Sequence, residues 1–307
     1  MGICKKTFIA AMMALLLALP AMAQDLEKGL AALDRGDYAT ALSVFRPLAE
    51  QGDAEAQHNL GVMYDKGWGV PQDDAEAARW YRRAADQGLA EAQFNLGLMY
   101  RKGEGVPRDY AEAARWYRLA ADQGFAKAQY NLGWMYDKGE GVLQDHAEAA
   151  KWYRRAADQG DASAQHNLGV MYLNGDGVPQ DDAEAAQWFR LAADQGLAEA
   201  QFNLGVMYFF GQGVPKNYAE AARWYRRAAD QGFAEAQVNL GVMYALGQGV
   251  PRDYVAAYVW FNIAATHGDA TALKARDITA AELSPDALLE AQRLSRQCLS
   301  SNYQNCP

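Results

Sequence analysis

The sequence predicts an all-α fold: a solenoid of six helix pairs closed by a helical cap at each end. Two observations carry that expectation. Asn-Leu-Gly occurs at 59–61, 95–97, 131–133, 167–169, 203–205 and 239–241, a 36-residue period in perfect register. Within each period, the constant apolar residues recur at helical spacing, never at the alternation of a strand. A fixed period of this length means stacked repeats and not a globular enzyme domain.

The caps and the leader can be read in order. Residues 1–23 differ from everything after them: Lys5 and Lys6 precede an apolar run from Phe8 to Leu19, Pro20 breaks it, and Ala21-Met22-Ala23 supplies small residues. That is the pattern of a secretory signal cleaved before Gln24. The apolar run is shorter than the roughly 20 residues a membrane span needs. After cleavage no spanning segment is expected. Residues 24–52 are expected to form an N-terminal capping helix pair, because Gly36-Asp37-Tyr38-Ala39, Ala41 and Phe45 differ from the repeats that follow.

The six units run 53–88, 89–124, 125–160, 161–196, 197–232 and 233–268. In the second, helix A spans about Ala90 to Lys102, with Ala92, Leu96, Met99 and Tyr100 on one face. Gly97 lies inside that helix at a cost of roughly 1 kcal/mol relative to alanine. Its recurrence in every unit points to a backbone contact too close for a side chain. Gly103 ends helix A, and Gly105-Val106-Pro107 makes the turn. Asp109 caps helix B, and Glu112 three residues later is expected to complete a capping box. The same pair recurs as Asp73/Glu76, Asp145/Glu148, Asp181/Glu184 and Asn217/Glu220. Repetition in successive units marks these carboxylates as caps, not as paired catalytic acids.

Helix B places Ala113, Trp116, Tyr117, Ala120 and Ala121 on its buried stripe, and Gly124 terminates it. The tryptophan recurs at 80, 116, 152, 188, 224 and 260. A row of sugar-stacking rings and a row of core rings are the two readings, and a large aromatic on a buried stripe favours the core. In the sixth unit Val255, Ala256, Val259, Asn262 and Ile263 replace polar residues of helix B, so a different neighbour is expected there. Residues 269–307 then supply C-terminal capping helices and a tail, the last helix starting at Ser284-Pro285-Asp286.

Composition sets outer bounds. The formal charge is −9, and loss of Lys5 and Lys6 with the leader would leave 27 basic against 38 acidic residues, or −11. No basic patch is available for a phosphate backbone, so nucleic acid is not an expected partner. Cys4 would leave with the leader. Cys298 and Cys306 remain, and an exported protein can join them in a short-loop disulfide or keep two free thiols. The histidines His58, His146, His166 and His267 form no metal spacing, and no HExxH, GxSxG or phosphate-cradling glycine loop occurs. No catalytic residue, metal site or cofactor is expected.

The pattern Ala-x-Ala-Gln-x-x-Leu-Gly-x-x-Tyr-x-x-Gly-x-Gly-Val, then Asp-x-x-x-Ala-x-x-Trp-Tyr-x-x-Ala-Ala-x-x-Gly, resembles the Sel1-like repeat, a relative of the tetratricopeptide repeats. The resemblance covers roughly residues 53–268, and the N-terminal cap itself looks tetratricopeptide-like. It implies a right-handed α/α superhelix serving as an adaptor in protein complexes, often exported in bacteria. One exported branch is linked to β-lactam binding or hydrolysis and carries a cysteine pair in each repeat. The six units here contain none, so that activity is not carried over.

Residues that vary between units point to the binding face. In helix A they fall at positions six, ten and thirteen, a stripe about 200° from the buried one. A buried hole would not accept valine in one unit and tryptophan in the next without cost. The expected partner-binding residues are therefore Phe94, Tyr130, Trp134, Phe202, Phe209, Phe210 and the loop residue Trp68. For position six, packing between adjacent helices A is the alternative, and Trp68 either packs on the N-terminal cap or reaches a partner. The expectation is an exported, periplasmic or secreted, monomeric scaffold that holds a protein or peptide in its groove. A cell-wall glycan binder is the first alternative and a β-lactam-linked hydrolase the second.

Overall fold

The computed structural model describes residues 24–303 and 306–307. The expected leader at 1–23 lies outside the described residues. Every regular element among them is an α-helix. The capping pair is α1 (24–34) and α2 (Tyr38–Glu50). The repeats are α3 (Ala54–Lys66) and α4 (Asp74–Asp86), α5 (Ala90–Lys102) and α6 (Tyr110–Asp122), and α7 (Ala126–Lys138) and α8 (His146–Asp158). They continue as α9 (Ala162–Asn174) and α10 (Asp182–Asp194), α11 (Ala198–Phe210) and α12 (Tyr218–Ala229), and α13 (Ala234–Leu246) and α14 (Tyr254–Thr266). The C-terminal cap is α15 (Ala270–Ala281) and α16 (Pro285–Ser300). No described helix is long and apolar enough to cross a membrane. The described residues form two compact bodies, divided between Asp145 and His146.

In the first body, each helix A ends on a left-handed glycine: Gly67, Gly103 and Gly139 have φ of 69°, 79° and 69°. Helix B begins on an aspartate whose carboxylate accepts a backbone N–H, from Glu76 at 2.9 Å for Asp73 and from Glu112 at 3.0 Å for Asp109. The cap is as expected, but the reciprocal half of the capping box is absent. The N–H of Asp109 donates instead to the Tyr100 carbonyl of helix A, and that of Asp73 to Tyr64. Glu76 and Glu112, left free of the backbone, pair with Arg79 and Arg115.

The glycine inside helix A also has a different cause from the one expected. A Cβ on Gly97 would stand 2.8 Å from Tyr117 Cδ1, and one on Gly61 2.7 Å from Tyr81 Cδ1. The nearest neighbour is a helix B ring, and at Gly97 the Ala113 carbonyl oxygen follows at 3.3 Å. The repeat accepts the roughly 1 kcal/mol propensity loss of a helical glycine so that the two helices can close over that ring.

Two ladders tie successive repeats, and neither was foreseen from the sequence. In the first, the buried Gln93 amide donates to the Ala85 carbonyl at 3.1 Å, capping the end of the preceding helix B. Gln123 donates to Gln93 Oε1 at 2.8 Å, and Gln87 to Gln57 Oε1 at 2.7 Å. Helix C-terminal carbonyls that no water can reach are thereby satisfied. In the second ladder, the guanidinium of Arg82 donates to the Tyr100 hydroxyl of the next repeat and lies 5.4 Å over the Trp116 ring. Arg118 bonds Tyr136 in the same way.

The second body repeats the scheme through Gln195–Gln165 and Gln231–Gln201 at 2.8 Å each, and through Arg190–Tyr208 and Arg226–Tyr244. The Gln ladder stops at the last repeat. His267 stands where glutamine would be, and Gln237 Oε1 is buried without a partner. The apolar helix B of the sixth repeat, α14, has the new neighbours its sequence called for: Tyr258, Val259, Trp260 and Ile263 are buried with Ala291 and Cys298 of α16. Ser284 caps α16 through Ala287 N–H at 3.2 Å. Cys298 and Cys306 are joined as a disulfide with their Cα atoms 4.8 Å apart.

Candidate functional site

Where helix A of one repeat ends beside helix A of the next, a cleft opens over the helix B aromatic between them. In the first body it is lined by Asp65 and Lys66 of α3, Tyr81 of α4, and Asn95 and Leu98 of α5, with Gln72, Asp74, Lys102 and Glu104 at its rim. Its volume is about 360 Å³. In the second body the cleft at the same place in the repeat is lined by Phe209 and Phe210 of α11, Tyr225 of α12, and Asn239 and Val242 of α13. It holds about 90 Å³.

The two clefts share a floor and differ in their walls. Burial raises the Tyr81 hydroxyl above its usual range and pushes that of Tyr225 up to about 12. Both rings therefore stay neutral and act as apolar floors, with Asn95 and Asn239 each supplying an amide. The first cleft pairs both of its lysines, Lys66 with Asp65 at 2.9 Å and Lys102 with Glu104 at 3.4 Å, and Asp74 accepts from the Gln72 amide at 3.2 Å. The second presents rings. Phe209 stacks edge-on with Phe210 and with Tyr218, both at 5.0 Å, and holds Phe210 outward at 64% exposure. An exposed aromatic beside a shallow apolar cleft is a protein-contact feature. Between the second and third repeats, Trp134 and Arg101 occupy the matching positions and cover each other, the guanidinium 5.6 Å from the ring.

The other expected binding residues are placed differently. Phe94 is half-buried at a repeat junction, 5.7 Å from the Tyr117 ring and 5.3 Å from Phe125 of the next repeat. Phe202 is held likewise by Tyr225 at 5.8 Å and Phe233 at 5.2 Å. In these two repeats position six is thus a packing position at the junction, its ring held between the helix B aromatic and the residue that opens the next repeat. Tyr130, at the same position in the third repeat, is half-buried. Trp68 lies flat on Tyr38 of the N-terminal cap, rings 5.2 Å apart and 9° from parallel. It closes the end of the array. The six helix B tryptophans are buried, none more than 9% exposed, so they form core and not a sugar-stacking row.

Position six also carries two histidines. Asn95 Nδ2 donates to His58 Nε2 at 3.0 Å, and Asn203 Nδ2 to His166 Nε2 at the same distance, so each ring accepts and is neutral. Burial lowers both pKa values, partly opposed by Glu91 and by Asn167 and Glu199 respectively. A lowered folded-state value means the unfolded chain binds protons first. The stabilisation is complete above about 6.5, the unfolded value, and is lost as pH falls below it. Thermal melts from pH 7.5 to 5 are expected to show a steeper loss for the wild type than for a His58→Gln, His166→Gln variant. Parallel curves would remove the histidines from the pH dependence.

No group of three or more His, Cys, Asp or Glu side chains poised for a metal ion occurs among the described residues. The Sel1 repeat family profile matches residues 54–89, 90–125, 126–161, 162–197, 198–233 and 234–269, one residue later than the frame used above. Among solved structures the chain is similar to a Sel1 repeat protein from Oxalobacter formigenes, 36% identical over 78% of this chain and 96% of that one, with a TM-score of 0.70. It is also similar to a protective antigen of uropathogenic Escherichia coli with an SLR fold, 30% identical over 92% and 93% of the two chains, TM-score 0.38. A putative Sel1 repeat protein from Klebsiella pneumoniae is 24% identical over 64% of this chain and 95% of that one, TM-score 0.41. No curated protein matches. Six consecutive matches spanning most of the chain, with each match folding as one helix pair, identify this protein as a member of the Sel1 repeat family.

Proposed function

We propose that this protein is a non-catalytic adaptor of the bacterial envelope that binds a protein or peptide partner through the cleft at Phe209 and Phe210. Stacked helix pairs of this class present repeated surfaces for protein binding. The observation that carries the reading is the outward Phe210 ring, 64% exposed and backed by Phe209 and Tyr218 where the first repeat has a self-paired Asp65 and Lys66. A solvent-facing ring held rigidly by neighbours loses little entropy on contact and suits an anchor position. The envelope assignment rests on the expected leader at residues 1–23. The absence of cysteine from all six repeats weighs against the β-lactam-linked activity.

The test is affinity capture from envelope and culture fractions on the wild type and on a Phe209→Asp, Phe210→Asp variant with unchanged helical circular dichroism. A protein retained by the wild type should bind the variant at least about tenfold more weakly, as loss of a central aromatic anchor entails. Equal retention would move the site elsewhere. Retention of peptidoglycan fragments and no protein would replace the adaptor reading with a glycan binder.

A further inference from the structure

The tail after α16 contacts the last two repeats through Tyr303, Cys306 and Pro307, in contacts that no internal repeat makes. In five repeats a glutamate stands four residues before the helix B tryptophan: Glu76, Glu112, Glu148, Glu184 and Glu220. In the fourth repeat that carboxylate, Glu184, accepts the Trp188 indole N–H at 3.0 Å, whereas the buried indole N–H groups of Trp80, Trp116 and Trp224 have no partner. In the sixth repeat the position is Ala256, and the indole N–H of Trp260 donates to the main-chain oxygen of Pro307 at 2.9 Å. Arg226, already bonded to Tyr244, donates a second N–H to the Cys306 carbonyl at 3.3 Å. Tyr303 lies on Gly232, where an added Cβ would come within 2.9 Å of its ring. The equivalent Gly88, Gly124, Gly160 and Gly196 face nothing within 4 Å. The Tyr303 hydroxyl is 3.1 Å from His267 Nε2. Removal of one glutamate and replacement of the ladder glutamine by histidine thus leave a seat of four groups, and the tail fills it.

The tail is held there against its own preference. Asn302 and Tyr303 are successive non-glycine residues at φ of 51° and 68°, a left-handed stretch that a free chain leaves. The tie is the disulfide between Cys306, half-buried, and Cys298, fully buried.

We propose that Arg226, Gly232, Trp260 and His267 form a peptide-binding seat occupied in cis by the tail, and that reduction of Cys298–Cys306 opens it to a segment of a second protein. The partner segment offers main-chain oxygens of two successive residues to Arg226 and Trp260 and an aromatic ring to Gly232 and His267. The reductant is a dithiol. Its thiolate attacks Sγ of Cys306, the sulfur within reach, and Cys298 leaves as thiolate. The second thiol then displaces Cys306 from the mixed disulfide. Two electrons pass to the cystine, which ends as two thiols, and the reductant ends as a disulfide. The tail stays tethered to α16 in both redox states, at an effective concentration on the order of millimolar. The disulfide adds the constraint that keeps Asn302 and Tyr303 left-handed, so its reduction weakens the tail as a competitor of a segment in trans.

The test follows the indole N–H resonance of Trp260 in the full ¹⁵N-labelled chain, assigned with Trp260→Phe. Dithiothreitol, or Cys298→Ser with Cys306→Ser, is expected to shift that resonance while circular dichroism stays helical. A synthetic peptide of residues 301–307 carrying Cys306→Ser should return the resonance saturably when added to the double-serine chain. Ala256→Glu in that chain supplies the acceptor that Glu184 gives Trp188 in the fourth repeat and should weaken the peptide at least tenfold. An unmoved resonance on reduction overturns the proposal, as does a moved one that the peptide fails to return. Loss of helix on reduction overturns it too, since a folded seat would then never be on offer. None of these outcomes depends on the Phe209–Phe210 cleft.

Discussion

Replacing Trp116 with alanine is expected to cost about 3–5 kcal/mol, the range for deleting a large buried aromatic, and to do so at one junction. The ring is 3% exposed and belongs to a cluster with Ala77, Ala78 and Ala84 of the first repeat and Leu96 of the second. Arg82 of the first repeat lies 5.4 Å above it. In a stack whose stability is a sum over nearest neighbours, a lost interface uncouples its two sides before it unfolds either. Hydrogen exchange should therefore quicken in α3 to α6 ahead of the rest, and urea unfolding should lose its single transition. A change below about 1 kcal/mol would mean that the ring is a surface platform, and would restore the sugar-stacking reading.

The second large effect is expected from Gly105→Ala, roughly 2–5 kcal/mol. Gly105 has φ of +67°, and an added Cβ would stand 2.0 Å from the Asp74 carbonyl oxygen and 2.7 Å from Ala75 N. The left-handed backbone costs a non-glycine residue about 1–2 kcal/mol, and a rigid backbone neighbour adds an overpacking cost of about 1–3 kcal/mol. Gly124→Ala separates the two contributions. Its φ is +93° with nothing within 4 Å, so only the conformational part applies. Equal losses for the two variants, measured by urea unfolding, would show that the turn does not bear on the preceding helix B.

The candidate site was legible only in part. Phe209 and Phe210 stood out because they replace polar pairs such as Arg101-Lys102 and Asp137-Lys138 at a helix end, a position with few ways to bury a ring. Phe94 and Phe202 lie on the same variable stripe, yet the residue that opens the next repeat, Phe125 or Phe233, folds over them. Sequence spacing places a residue on a helix face but does not say which neighbour's loop covers it. The Gln ladder could have been found. Gln57, Gln93 and their successors sit inside the apolar stripe, and a polar residue repeated in a buried register requires a partner.

The 36-residue period, the caps and the terminating glycines by themselves determined an all-α stack of helix pairs, because helix face, length and ends are local properties of the chain. Only the tertiary structure decided what happens between repeats. It turned the expected capping boxes into Glu–Arg pairs, since the N–H each glutamate would have met was already bonded to the previous helix. It set Arg82 on Trp116, Tyr303 on Gly232 and His267, and Cys306 and Pro307 on Arg226 and Trp260. Those outcomes are competitions between groups many residues apart for the same donor or the same ring face, and their winner is a matter of distance in space.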